Sequence, residues 1–332
     1  MNVKALIRSV NHTLKLHKLF PENSRILVAC SGGPDSMALL HLLQDIANHR
    51  HTKYELGVAI VDHSIRSESK DEVLWLRNQV KALGLPFYTA TFDVPRLSKD
   101  QKLSEETAGR QVRYQWLNEI SQSEGYDYIA VAHHKDDQAE SILAHLIRGT
   151  GLNGLTGMAV VSYDYTVPVI RPLLDVTKSE LLDYLADRDL TYCIDSTNDD
   201  ISYQRNRIRH RIIPELEFIN PNVVDAIVRL GSSVSEDLAV ISDLTAQAFE
   251  RLVTIDKHEM SLSRRALRKE PLAIQRRLWQ RLVSSIDSDI TLTTAHQEQL
   301  LDIVNTGEAK TFTIKSIKVT AQCDTIKVYC KH

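Results

Sequence analysis

The six residues Ser31-Gly32-Gly33-Pro34-Asp35-Ser36 carry the side-chain types of an anion cradle. They lie between an apolar run, Ile26 to Ala29, and a leucine-rich run from Met37, which reads as strand, tight turn and helix start. The first N–H groups of a helix lack partners, and the helix dipole favours negative charge there. Glycines let the backbone approach the anion, and Ser31 and Ser36 add hydroxyl donors. The turn matches neither G-x-x-x-x-G-K-[ST] nor G-x-G-x-x-G, and no lysine lies within it. Asp35 is an acid beside an anion site, which implies a cation between the two, and Mg²⁺ is the expected one.

A second reactive group, His133-His134-Lys135-Asp136-Asp137-Gln138-Ala139-Glu140, follows another apolar run, Tyr128–Ala132. Behind it, Ala139, Ile142, Leu143, Leu146 and Ile147 recur at helical spacing. Asp137 and Glu140, three apart, therefore share a face turned from that stripe. Three acids and two histidines at one strand end suit an ammonium-bearing ligand, a metal or acid–base work. Capping of a helix N-terminus accounts for a single acid but not for the whole group.

Arg148 opens a run in which Gly149, Gly151, Gly154 and Gly157 place four glycines in nine residues. Such a run needs unusual backbone angles or a close neighbour. Two basic stretches follow: Tyr203–Arg211, with Arg205, Arg207, Arg209 and Arg211, and Arg264–Arg281, with seven lysines and arginines against Glu270. The chain carries 40 Lys+Arg against 43 Asp+Glu, so no global field draws it to polyanions, and any RNA-facing surface must be local.

The elements that position these residues alternate. Strands are expected at Ile26–Cys30, Leu56–Val61, Phe87–Phe92, Tyr128–Ala132, Val167–Ile170 and Thr191–Ile194. Helices are expected at Met37–His49, Glu72–Leu83, Ser104–Ile120 with Ser104 as N-cap, Asp136–Arg148 and Lys178–Asp189. This pattern predicts an α/β fold, a parallel sheet with helices on both faces, with ligands at the carboxyl ends of the strands. The amphipathic, acid-free first twenty residues are expected to form a helix packed on this domain. Past Pro214–Pro221 the signals become helical, at Val223–Leu230, Ser235–Val253 and Ala273–Val283. Two alternating strand-like runs then occupy Phe312–Tyr329. The expected division is residues 1–217 and a smaller, mainly helical C-terminal domain, 218–332, with a terminal β element.

The 332 residues, 43% hydrophobic and 25% charged, suit two globular domains. Cys30, Cys193, Cys323 and Cys330 form no C-x-x-C pair, which argues against a zinc ribbon or a dithiol motif. No apolar run is long enough for a transmembrane helix. A cytoplasmic location with free thiols is expected, with no membrane partner, and a homodimer as the default assembly.

The opening turn resembles the S-G-G-x-D-S loop of the PP-loop ATP pyrophosphatases. Further motifs follow in a fixed order: Val61-Asp62-His63-Ser64-Ile65-Arg66, the H-x-x-D-D-Q-A-E block, the R-G-x-G-x-x-G-L-x-G-M run, Arg171-Pro172-Leu173-Leu174, Asp195-Ser196-Thr197-Asn198 and Arg205-Asn206-Arg207-Ile208-Arg209. Together they resemble the tRNA(Ile)-lysidine synthetase family, densely over residues 20–215 and weakly beyond. The resemblance implies an adenine nucleotide alpha hydrolase-like, Rossmann-like domain. It implies ATP-dependent joining of free L-lysine to carbon 2 of the wobble cytidine of tRNA(Ile) with a CAU anticodon. ATP would sit on Ser31, Gly32, Gly33, Pro34, Asp35 and Ser36, with Asp62 and His63 beside it and Asp35 acting through Mg²⁺. Asp137 and Glu140 would grip the lysine ammonium, while Asp136 or His134 is the base or helps hold Mg²⁺. The segment from Ser104 to Tyr114 resembles the family's S-x-E-x-x-A-R-x-x-R-Y, with Gly109 where alanine is usual. Arg110, Arg113, Arg148, Arg205, Arg207 and Arg209 would meet phosphate. The rival reading is a PP-loop tRNA thiolase, which delivers sulfur and generally needs cysteines that this chain lacks in pairs.

Overall fold

Strand β1 (Arg25–Ala29) is buried at its centre because Ile26, Leu27 and Val28 give it apolar side chains on both faces. It pairs in parallel with β2 (Glu55–Asp62) on one side and β4 (Tyr128–Ala130) on the other. The computed structural model describes residues 3–49, 54–63, 69–194, 201, 203–256, 259–306 and 308–330. With β3 (Phe87–Thr91), β5 (Val161–Ser162) and β6 (Val169–Ile170) it gives a six-stranded sheet in the order β3-β2-β1-β4-β6-β5. All neighbours are parallel except β5 and β6, so the expected parallel sheet gains one antiparallel edge strand.

Helices cover both faces. Ile26 and Val28 pack into a cluster with α1 (Val3–Leu16), α2 (Pro34–His49), α3 (Ser69–Ala82) and α8 (Lys178–Asp187). Leu27 faces the other way, against Tyr114 and Leu117 of α5 (Glu105–Glu124). Leu6, Val10 and Leu14 bury the apolar stripe of α1, as expected. Ser104 caps α5 by accepting from Thr107 N–H. A short helix, α4 (Val94–Gln101), precedes it. One expected strand is absent: Thr191–Ile194 runs without ladder pairing, with Cys193 N–H donated instead to Gly32 O at 2.9 Å.

The chain divides into two compact units, Met1–Ser232 and Ser233–His332. The division falls inside α11 (Val223–Leu252), where Gly231 does not interrupt the two helical stretches read from the sequence. The expected boundary after residue 217 lies ahead of that helix. The second unit is not mainly helical. It is organised by a five-stranded antiparallel sheet, in the order β7-β8-β11-β10-β9. Its strands are β7 (Val253–Asp256), β8 (Glu259–Ser263), β9 (Lys310–Ile314), β10 (Ile317–Gln322) and β11 (Thr325–Cys330). Ile317, Val319, Ile326 and Val328 from the sheet meet Leu278, Trp279 and Leu282 of α13 (Leu272–Ser284) and Leu300 and Val304 of α14 (Thr294–Thr306). The sequence hid β7 because it continues directly from α11, and β7 and β8 are too short to display a clear period of two. The last run holds three strands rather than two.

Candidate active site

The strand order reverses direction between β1 and β4, and open α/β sheets form their ligand crevice at such a switch. Both reactive groups emerge there. Ser31–Ser36 follows β1, and His134 precedes α6 (Lys135–Arg148) after β4.

The loop after β1 is tied to itself. Ser36 Oγ donates to Gly33 O at 2.9 Å and accepts from Ser31 N–H at 3.2 Å. Ser31 Oγ lies 3.3 Å from Ser36 Oγ. Gly32 takes φ +82°, a left-handed angle that side chains resist. Pro34 sits in the first turn of α2, where its missing N–H costs nothing. The result is a preformed turn at a helix N-terminus, with Asp35 on the first helical turn.

The block after β4 is more buried than its charge suggests. His134 is 2%, Asp137 7% and Glu140 1% exposed. Asp137 Oδ2 accepts from His134 N–H at 3.0 Å, which ties the acid to its own helix start. His134 Nε2 lies 3.5 Å from Asp137 Oδ2 and 3.7 Å from Asp35 Oδ2, and Nδ1 lies 3.4 Å from Asp136 Oδ2. Burial pulls the His134 pKa down, but Asp136, Asp137 and Asp35 outweigh it and the net shift is upward. Burial pushes Asp136 and Asp137 up. That is outweighed at Asp136 by His134 and the Lys178 N–H, and at Asp137 by His134 and Arg205, so both carboxyls sit below their ordinary range.

Arg205 and Arg209 neutralise the buried acids. Arg205 donates from Nη2 to Asp137 Oδ1 at 2.7 Å and from Nε to Glu140 Oε2 at 2.9 Å. Arg209 donates from Nε to Glu140 Oε1 at 2.6 Å and from Nη2 to Asp137 Oδ1 at 3.0 Å. Their spacing explains the fit: residues four apart on one helical face meet acids three apart on another. Arg205 lies on α9 (Gln204–Arg207), and Arg209 on a π turn, Ile208–Ile212, that leads into α10 (Ile213–Ile219). Pro214, which has no N–H to give, sits where α10 resumes.

Two residues of this site were invisible in the sequence as chemistry. Lys178, read only as the start of a helix, places Nζ 2.6 and 2.7 Å from the two oxygens of Asp35 and donates its backbone N–H to Asp136 Oδ2 at 2.9 Å. Gln138 grips the glycine-rich run: Nε2 donates to Met158 O at 2.9 Å, and Oε1 accepts from Met158 N–H at 2.6 Å. Gly157 has φ +69°, and a Cβ there would fall 2.7 Å from the Gln138 amide. The run is thus a clamped loop that includes α7 (Leu152–Leu155). Only the H-x-x-D-D-Q-A-E block hinted at Gln138; nothing pointed to Lys178.

Beside the acids lies a positive wall. Arg110 and Arg113 lie over the Tyr114 ring, at 4.8 and 5.5 Å, and Tyr114 stacks on Tyr165 at 5.5 Å. Buried Arg171 donates from Nε to His133 Nδ1 at 3.3 Å and from Nη1 to Ala159 O at 2.7 Å. Burial holds His133 down to about 3, with Arg171 adding to the shift, and burial with Arg113 holds His63 down to about 4. Both imidazoles are therefore neutral near pH 7. Asp62 is buried at the end of β2. Arg148 and Arg207 are exposed. Ser64–Arg66 and Asp195–Asn198 lie outside the described residues.

Much of the second basic stretch is committed to its own fold. Arg264 and Arg268 donate to Glu308 O, Val304 O and Asn305 O at the end of α14, Arg276 pairs with Glu298, and Arg281 lies over Phe249. Among the described residues, no three His, Cys, Asp or Glu converge on a metal position. Asp35 is a hard oxygen donor at an anion-binding turn, which fits Mg²⁺ in the form that takes one carboxylate, with phosphate and water as the other ligands.

Comparison with known proteins agrees with this geometry. Residues 4–216 match the PP-loop domain family. The chain is 32% identical over 327 residues to the tRNA(Ile)-lysidine synthase of Caldanaerobacter subterraneus subsp. tengcongensis, covering 98% of this chain and 68% of that protein. It is 35% identical over 269 residues to the tRNA(Ile)-lysidine synthase of Porphyromonas gingivalis, covering 80% of this chain but 56% of that protein. The chain therefore spans little more than half the length of some of these relatives. Among solved structures, the U34-tRNA thiolase NcsA from Methanococcus maripaludis shares the fold, with TM-score 0.59 and 22% identity over 70% of this chain and 78% of that one. The chain belongs to the PP-loop family and, within it, to the tRNA(Ile)-lysidine synthases.

Proposed function

We propose that this protein joins free L-lysine to carbon 2 of the wobble cytidine of tRNA(Ile) with a CAU anticodon, in the cytoplasm, at the expense of ATP. The observation that carries the reading is the meeting of two half-sites at one crevice, an anion turn after β1 and a buried acid block after β4.

The cytidine carbonyl oxygen is a poor leaving group. In the first step that oxygen attacks the α-phosphorus of ATP and pyrophosphate departs, leaving the base adenylated. In the second, the ε-amine of lysine forms a bond to carbon 2, and the carbon–oxygen bond breaks to release AMP. Ser31–Ser36 cradles the phosphates. Asp35 would hold Mg²⁺, which supplies charge neutralisation at those phosphates when bound.

Lysine arrives as an ammonium with a pKa near 10.4, so it must lose a proton before it attacks. Asp137 and Glu140 receive it by exchange. In the free protein the two guanidinium groups hold the place of a cation, and the incoming ammonium displaces that of Arg205, whose side chain is 39% exposed. Asp136, Asp137 and Asp35 favour the charged form of His134, which then stabilises negative charge. Asp136, partly exposed and 3.4 Å from His134 Nδ1, accepts the lysine proton. Arg110, Arg113, Arg148 and Arg207 face tRNA phosphate, with the target base splayed out as an anticodon loop permits.

The two thiols nearest the anion turn do not suit the thiolase reading. Burial pushes the thiols of Cys30 and Cys193 above the ordinary value, away from the thiolate that sulfur transfer uses. Incubation with ATP, radiolabelled lysine and a tRNA(Ile) transcript bearing CAU tests the proposal. Label is expected in the RNA and lost when the anticodon is changed; ATP turnover with unlabelled RNA overturns it.

A further inference from the structure

The anion turn lacks an element that phosphate loops commonly contain. It offers neutral N–H and hydroxyl donors and one acid, but no cation of its own. Even with one Mg²⁺ held by Asp35, a triphosphate on these groups would keep a net negative charge. The fold brings a cation from elsewhere. Lys178 stands on α8, 143 residues along the chain, with its ammonium on both oxygens of Asp35.

Three features set this lysine apart from a structural staple. First, its backbone is fixed independently. Its N–H is held by Asp136, and the preceding Thr177 makes a reciprocal capping box with Glu180. Second, α8 needs no further attachment to α2. Leu181, Tyr184 and Leu185 are buried in the shared core, Tyr184 Oη donates to Asp45 Oδ2 at 2.9 Å, and Arg188 pairs with Asp45 at 2.7 Å. Third, the Lys178–Asp35 pair is partly open, with side chains 35% and 28% exposed, and such pairs contribute little to stability. The ammonium is thus stored within reach of the turn at small cost, in a place a ligand can enter.

We infer that Lys178 is the phosphate-binding cation of this site: on ATP binding its ammonium passes from Asp35 to the β- and γ-phosphates, the part that leaves as pyrophosphate. The inference rests on reading Ser31–Ser36 as an ATP turn and names a residue which that reading leaves out. A lysine reaching across from another helix does here what a lysine inside the loop does in Walker-type turns.

Equilibrium binding of ATP and of AMP to the full chain, in Mg²⁺, tests it with Lys178→Met and Lys178→Arg. Lys178→Met is expected to weaken ATP about tenfold or more, the size of one charge-assisted hydrogen bond, while AMP stays within about twofold. Lys178→Arg is expected to recover most of the loss. Retained AMP binding also reports an intact fold; if Lys178→Met does not fold by circular dichroism, Lys178→Gln takes its place. Unchanged ATP affinity, or equal weakening of ATP and AMP, overturns the role of Lys178. Failure of the unaltered protein to bind ATP overturns the ATP reading and this inference with it.

Discussion

Arg209 presents Nε to Oε1 and Nη2 to Oε2 of Glu140, at 2.6 and 3.0 Å, although 69 residues separate them. This fork-on-fork pairing is the strongest geometry available to an arginine and a carboxylate. Its stability contribution depends on burial, because Glu140 is 1% exposed and has no access to water. Removing the guanidinium leaves a buried acid with half its partners.

Arg209→Ala is therefore expected to destabilise the first unit by about 2–3 kcal/mol, below the full buried-pair value because the arginine is a third exposed. Exposed Arg207→Ala is expected to stay within about 0.5 kcal/mol. Urea unfolding of the two variants checks the contrast, and equal effects would sink it.

Arg207 and Arg205 separate RNA binding from lysine binding. Arg207→Ala should lower tRNA affinity across sequences and reduce the slope of log K against log salt by about one, as the loss of a phosphate contact does. Arg205→Ala should instead lower the lysine concentration needed for half-maximal rate, because the ammonium no longer has to displace a guanidinium. Filter binding over a salt series, beside lysine-dependence assays, distinguishes them.

The histidines set opposing pH dependences. His134 has a raised folded-state pKa, so its proton adds stability below about pH 6.5, and that is lost as pH rises through the folded value. Asp136 and Asp137, shifted below 3.8, add stability above that value and lose it as pH falls through their folded values. His133 stays neutral down to about 3, so the unfolded chain takes up a proton first and stability falls below about pH 6.5. His133→Gln should flatten the acid limb of a stability profile. The deficit caused by His134→Gln should shrink as pH rises from about 6.5 through the folded value.

Two glycines make opposite predictions. Gly157→Ala forces a side chain into a left-handed angle and onto Gln138, and should cost about 2–4 kcal/mol. Gly109→Ala adds a methyl at ordinary contact, 3.6 Å from His63, inside a helix, and should stabilise by about 0.5–1 kcal/mol. Thermal melts of both variants decide.

Much of this was legible in the residues. Strands β1, β2 and β4 announced themselves as apolar runs, and the reactive blocks after β1 and β4 lay where an α/β sheet holds its ligands. Partnership was hidden. The acids Asp137 and Glu140 looked like an open grip for a cation, and Arg205 and Arg209 like free cations for phosphate. Each pair instead satisfies the other in the structure, because helical register, and not residue type, decides who meets whom. Lys178 stayed unseen for the same reason. The second unit's sheet was missed at β7 and β8, where strands this short leave little alternation to read.

The π turn at Ile208–Ile212 turns that register into a constraint on insertions and deletions. Ile213 N–H reaches back to Ile208 O, a span one residue longer than an α-helical bond. Dropping one residue from this segment would restore ordinary winding and rotate Arg205 by about 100° relative to α10, away from Glu140. Between Tyr203 and Pro214 the chain can therefore exchange exposed side chains without disturbing this register, but it cannot change its length. Residue count, as much as residue identity, is what inheritance must preserve there.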